Sequence, residues 1–499
     1  MDEEDDTVDF APLFPTTISD TIRFENREFI YEAISLLNRC QRHIDPEGGS
    51  PVYSTASKPI NNLIFYGFLA LALARDAERD AAAIAIYHSK SQVRVYYTKN
   101  EFLDGDDEHT EKLANLVRST ARDPAIDKKT FYQRYFNLIV HGCHGKFSRR
   151  FHDLRDQLKK GKRRQEKIPC TAVDLLELYA EYAKDVNSDS TIRCNADREA
   201  KTYSSTGNLF NGLFNALKEM ISTVSQDEKG ISVDEFTTLA AHAYVIGHAT
   251  FSGYLIKTSP PLHPLIQSAQ NMAEYFCGAT RLYNSITDSQ SARKRYSNLE
   301  PIKIPAPEPL QVTLETDWYH VLKCIYYRTT GKYLPITRGQ FIASHGPGVA
   351  KYENWPIQKF TSHCEITLMR PLTYVHKRPP TVLGVSKACC SLCFEFIRAV
   401  NEHRATYSQI LWKVGRSHGN VYNWSLGGDE NKSMLAGTAA VGKWVYNKVL
   451  TMIQDCIYKS VTESPPSFSS PEEDEGPSAS MFLPQTQGIA FSKSILTTV

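Results

Sequence analysis

The sequence has no long apolar run. Its longest, Leu63 to Ala74 (LIFYGFLALALA), holds 12 residues, well short of the roughly 20 that span a bilayer as a helix. It reads as a buried helix, and no membrane association is expected. No secretory leader is expected either: the opening MDEEDDTVDF is acidic, where a signal peptide needs a basic start and an apolar stretch. Net charge is nearly absent, with 57 Lys+Arg against 56 Asp+Glu. That balance argues against a chain that coats nucleic acid with its whole surface, but it leaves room for a local basic patch. No repeat of fixed period occurs. The 11 cysteines are an odd number. Reduced thiols in an intracellular protein, cytoplasmic or nuclear, are therefore expected, and clustered cysteines point to metal or catalysis rather than to disulfides.

What is present suits a globular chain. Of 499 residues, 41% are hydrophobic and 23% charged, enough for a sizeable core. The length suggests roughly three domains. Residues 1–20 are acidic and expected to be disordered. Residues 21–288 read as a mostly helical region of unknown function. Apolar residues recur at helical spacing over Arg27 to Ile44, Thr171 to Val186, Asn208 to Val224 and Val233 to Ile256, the last with Ser232 or Asp234 as its cap. Val93 to Tyr97 alternates like an isolated strand. Residues 289–310 carry the prolines of PIKIPAPEPL and read as an extended connector. Residues 311–460 form a second domain that closes with a helix over Met434 to Tyr458. Residues 461–499 are rich in Ser, Pro and Glu and are expected to be disordered.

One upstream segment stands out by charge. Lys146 to Lys167 holds ten Lys/Arg against three acidic residues, and reads as a nucleic-acid contact, a nuclear-import signal or a solvated face. His141-Gly142-Cys143-His144 beside it has no second ligand pair nearby and reads as incidental.

The informative stretch is Ser362 to Trp424. His363-Cys364-Glu365 opens a helix, and Thr381 to Val385 reads as a buried strand that leads into Ser386-Lys387-Ala388-Cys389-Cys390-Ser391-Leu392-Cys393. A Cys-x-x-Cys at a helix start points two sulfurs at one metal, and the helix N-terminus favours thiolate. His363 from another helix supplies a third ligand. Three protein ligands leave one zinc position for water, the layout of a catalytic site, and zinc makes that water acidic. Glu365, two residues after the histidine, is placed to shuttle protons. Together these residues form the H-x-E … C-x-x-C signature of zinc deaminases acting on nucleobases. Cys364 and Cys389 flank the candidate ligands. If either joined the metal, the site would be closed, a structural zinc staple.

The chain here resembles the bacterial-toxin-like nucleic-acid/nucleotide deaminases that are widespread in fungi. The resemblance rests on His363-x-Glu365, on Gly384-x-Ser386-Lys387-x-x-Cys390-x-x-Cys393, and on Ser417-His418-Gly419 followed by Trp424. It covers roughly residues 315 to 430. The residue before the first ligand cysteine, usually proline in deaminases, is Cys389. The resemblance implies a deaminase fold, a mixed sheet sandwiched by helices; with the helical reading upstream, the expectation is an α+β protein, a large, mostly helical N-terminal region followed by a C-terminal α/β/α cytidine deaminase-like domain. It also implies a Zn²⁺ cofactor and activity on a base in a nucleotide or nucleic acid. His363, Cys390 and Cys393 are then the metal ligands and Glu365 the catalytic residue. Ser386, Lys387, His418 and Trp424 are candidate substrate contacts: Lys387 to a phosphate, His418 to base or phosphate, Trp424 by stacking. The plainer alternatives are a solvated lysine, a turn histidine and a core tryptophan. The alternative for the whole chain is a catalytically silent deaminase fold, kept as a zinc-stabilised module that binds protein or nucleic acid.

Overall fold

The computed structural model describes residues 27–40, 58–75, 80–159, 215–216, 218–224, 226, 231–248, 263–314, 317–346, 357–375, 380, 382–387, 389–406, 411–414, 421–425 and 432–462. It is mostly helical, with two small sheets. Helices α1 (Arg27–Cys40) and α2 (Lys58–Leu73) lead into strands β1 (Ala82–His88) and β2 (Val93–Lys99). Helices α3 (Asp106–Arg122), α4 (Lys128–Gly142), α5 (His144–Lys159), α6 (Val233–His248), α7 (His263–Thr287) and α8 (Gln290–Tyr296) follow. The chain returns through β3 (Leu299–Lys303) and β4 (Leu310–Thr313). Then come α9 (Trp318–Thr330), α10 (Arg338–His345), β5 (Ile357–Phe360), α11 (Cys364–Val375), β6 (Gly384–Val385), α12 (Ser391–Thr406) and α13 (Lys432–Thr462). No helix among the described residues is long and apolar enough to cross a membrane.

The larger sheet has the order β3-β2-β1-β6, and β4 pairs with β5 in the smaller one. β1 and β2 form an antiparallel hairpin, β1 also pairs antiparallel with β6, and β3 joins β2 in parallel. Helices cover both faces. Ala82, Ile84 and Ile86 belong to one core with α2 to α8, while Ala83, Ala85 and Tyr96 belong to the other with α1 and α9 to α13. Successive side chains of a strand point to opposite faces, so β1 is apolar at nearly every position, as a strand buried on both sides must be.

The sheet joins what the sequence reading divided. The strand of Val93 to Tyr97 is not isolated: it lies between β1 and β3. The stretch 289–310, read as an extended connector, opens with helix α8 and contains strand β3. Pro301 fits there because β3 is an edge strand, where a missing N–H breaks no ladder. The larger sheet therefore joins β1 and β2 of the N-terminal half to β6 of the C-terminal half, and α1 packs its Ile34 and Leu37 into the C-terminal core.

Other helices follow their local signals. Ser232 caps α6: its Oγ accepts from Glu235 N–H at 3.3 Å, and the Glu235 carboxylate accepts from Ser232 N–H at 2.7 Å. The stripe Val441, Val445, Val449 and Ile453 of α13 is fully buried. The expected helix Thr171 to Val186 lies outside the described residues, as do residues 1–20 and 463–499.

The basic segment Lys146 to Lys167 is described only through Lys159. Part of it points inward. Lys146 is buried, and its Nζ donates to the Asp80 carbonyl at 3.3 Å. Arg150 pairs with Glu274 at 2.8 Å and lies over the Tyr275 ring.

Candidate metal centre

The site is assembled from the ends of secondary elements. β2 ends at Lys99, whose buried ammonium pairs with Asp80 and Asp106 carboxylates, each at 2.7 Å. Pulling this ammonium away would leave buried carboxylates without their counter-charge, so the group holds the strand end in place. The next residue, Asn100, accepts through Oδ1 from the Cys364 N–H at 2.8 Å. That bond satisfies one of the donors that every helix N-terminus leaves open. It fixes the start of α11, where the His363 carbonyl accepts from Ile366 and Thr367. α11 runs on through Pro371 to Val375.

The cysteines arrive on the other side. β6 is pinned to β1, with the Ser386 N–H donating to the Ala82 carbonyl at 2.9 Å. Five residues later α12 begins. Cys390 stands at its head, and its Sγ accepts from the Cys393 N–H at 3.3 Å, the place a Ser or Asp oxygen takes in an ordinary cap. One turn brings Cys393 beside it. Cys390 Sγ and Cys393 Sγ each lie 3.3 Å from His363 Nδ1. The three ligand atoms fall within 4.8 Å of one another, and all three residues are buried.

This donor set fits zinc. Tetrahedral bonds of about 2.3 Å to sulfur and about 2.05 Å to nitrogen imply an S···N edge of about 3.6 Å, close to the 3.3 Å observed. Burial opposes charge on Cys390, but a hydrogen bond from Cys393 and the His363 charge outweigh it and hold the thiol well below its ordinary range. Burial and that neighbouring thiolate push Cys393 up. Burial works against His363 as well, yet Cys390 and then Glu365 raise it. A metal ion bound there would take these ligands in their deprotonated forms and displace any protons they carry.

Glu365 is buried beside the triad. Its Oε2 lies 3.5 Å from Cys364 Sγ and 3.8 Å from Cys393 Sγ. Burial raises its pKa above the usual carboxylate value, and His363 partly offsets this. Cys364 and Cys389 are buried thiols that hydrogen-bond to Glu365, and burial followed by that carboxylate pushes both well up. The metal-capable group among the described residues contains neither.

The candidate substrate contacts fare differently. Ser386 Oγ is buried and accepts from the Ala82 N–H at 2.9 Å, so it ties β6 to β1. Lys387 is exposed. His418 lies outside the described residues. Trp424 does not offer a stacking face: it is fully buried, with its ring edge-on to Phe396 at 5.6 Å. Two residues to which sequence reasoning gave no role lie at the site. One is Asn100; the other is Tyr422, whose exposed ring sits 6.2 Å from the His363 ring.

Comparison with known proteins agrees with this geometry over a limited span. A protein-family model described as an OTT_1508_deam-like deaminase matches residues 362–427. No curated protein and no solved structure matches the chain. The C-terminal part of the chain therefore carries a domain similar to that deaminase family, with a buried His363/Cys390/Cys393 group consistent with a zinc site.

Proposed function

We propose that this domain hydrolyses the exocyclic C–N bond of a nucleobase, of cytosine or adenine type, in a nucleotide or nucleic acid. The observation that carries the reading is the buried triad of metal-ligand atoms with the Glu365 carboxylate against it, inside a stretch similar to a deaminase family.

His363, Cys390 and Cys393 would hold the metal, leaving one tetrahedral position open. Zinc bound there supplies an acidic water. Glu365, whose carboxylate lies against the triad, would move a proton from the attacking water to the departing amino group. A C–O bond forms as the C–N bond breaks, giving ammonia and the corresponding oxo base. A carboxylate whose pKa burial has raised suits this work, because it must hold a proton between two transfers. The thiols of Cys364 and Cys389 orient it, and the closed surroundings exclude bulk water.

The test is ammonia release by the zinc-loaded full chain from cytidine and adenosine nucleotides and from single-stranded DNA and RNA. Glu365→Gln should keep its zinc and lose roughly 100- to 10,000-fold in rate. A variant that keeps the parent rate removes the proton-shuttle mechanism. Binding without turnover in the parent protein would favour the silent module.

A further inference from the structure

The triad and Glu365 are each at most 7% exposed, so the reacting atom must enter through whatever surface borders them. Among the described residues, the exposed ring beside a triad ring is that of Tyr422. It is 44% exposed, and its ring centroid lies 6.2 Å from that of His363. The two planes are inclined at 57°, so the rings are tilted and not stacked.

The backbone beneath this ring is fixed. Thr361, two residues before His363, bridges to Trp424 in parallel, with Thr361 N–H donating to the Asn423 carbonyl and Ser425 N–H donating to the Thr361 carbonyl. The Asn423 side chain accepts from Asn38 of α1 at 3.0 Å and donates to Gln358 at 3.2 Å. Val421 and Trp424 on the same short segment are fully buried. A rigid segment that buries two apolar side chains and leaves a third, aromatic one exposed beside a metal-ligand ring has the form of a preorganised contact. Tyrosine presents a large flat face at low conformational cost.

The geometry points to Tyr422 as the residue that receives the flat face of the substrate base at the mouth of the site, and so as a selector for an unpaired base, free or in a single strand. This rests on the deaminase reading given above. A base inside a duplex has both faces covered by its neighbours and cannot offer one to this ring. The Trp424 position cannot serve, because that ring packs against Phe396 in the core.

The experiment uses zinc-loaded full-length Glu365→Gln protein, so that a bound base is not consumed. Binding is measured calorimetrically for cytidine 5′-monophosphate, adenosine 5′-monophosphate, mixed-sequence single-stranded DNA and RNA, and the same DNA annealed to its complement. At least one unpaired probe should bind. Tyr422→Ala and Tyr422→Leu should weaken that binding by roughly 5- to 150-fold, the range found for single base–aromatic stacks. Tyr422→Phe should stay within about 2-fold, since the face and not the hydroxyl makes the contact. Zinc content and unfolding temperature should not change in any of the three. Which probe binds separates a free nucleotide from a strand. Binding indifferent to Ala and Leu, duplex binding equal to single-strand binding, or loss of zinc in both variants overturns the inference and leaves the deaminase reading standing. If no probe binds the Tyr422-containing protein, the deaminase reading falls and the inference with it.

Discussion

Adding one methyl group at Gly384 should unfold the sheet from the helix behind it. A Cβ there would sit well inside van der Waals contact with the backbone carbon and oxygen of Tyr66 in α2. The approach is close from both sides, since a Cβ on Gly67 of α2 would lie 3.4 Å from the Val385 carbonyl oxygen. Gly384 is not among the described positive-φ glycines, so the penalty is steric and not conformational. Overpacking costs about 1–3 kcal/mol where side chains can give way. Here the obstacle is helix backbone, and the cost should lie at or above about 3 kcal/mol. Strand β6 leads directly into the candidate cysteine ligands, so zinc retention should fall with stability. Urea unfolding followed by circular dichroism, beside zinc per chain, measures both. Gly339→Ala is the control. No atom lies within 4 Å of its Cβ position in α10, and the helix should gain up to about 1 kcal/mol. A Gly384→Ala protein within about 0.5 kcal/mol of the parent, zinc intact, would refute the packing argument, since a change that small marks a site free of such strain.

Three further outcomes follow from particular residues. Burial, then Arg150 and Lys387, push the Lys146 ammonium down to about 7 from the ordinary 10.5. Between those pH values the unfolded chain holds a proton that the folded chain has released, so this residue's contribution to stability rises with pH and its penalty is full below about 7. Lys146→Met should therefore stabilise most near pH 6, by at most about 5 kcal/mol, and the gain should shrink toward pH 10. A gain that does not change with pH contradicts the burial account. Trp424→Ala should lose about 3–5 kcal/mol in chemical denaturation, because it empties a core site against Phe396; an unchanged midpoint would show that the ring is not core. Cys364→Ser and Cys389→Ser should each keep the parent zinc content, since their thiols face Glu365 and lie outside the triad. Loss of zinc in either would mean a closed, four-ligand site.

The candidate metal group was legible because local spacing encodes it: a helix start places Cys390 and Cys393 together, and His363-x-Glu365 puts a candidate ligand and a carboxylate on another helix start. The sheet was only half legible. The alternation of Val93 to Tyr97 showed, but β1 did not, because AAIAIYH is buried on both faces and its alanines suit a helix equally well. Asn100 could not be seen, since it meets Cys364 across 264 residues of chain. Tyr422 and Trp424 carry similar aromatic side chains two positions apart, and nothing in that spacing tells the exposed ring from the buried one. Proline at 301 argued for a connector and found an edge strand instead.

Zinc per chain in purified, metal-replete protein tests the central claim most directly, measured beside His363→Ala, Cys390→Ala and Cys393→Ala with folding checked by circular dichroism. The geometry predicts about one tightly held zinc in the parent, at the affinities typical of thiolate–imidazole sites, and its loss or marked weakening in each folded variant. A parent protein without zinc, or folded variants that all retain it, would contradict the assignment of His363, Cys390 and Cys393 as the metal centre.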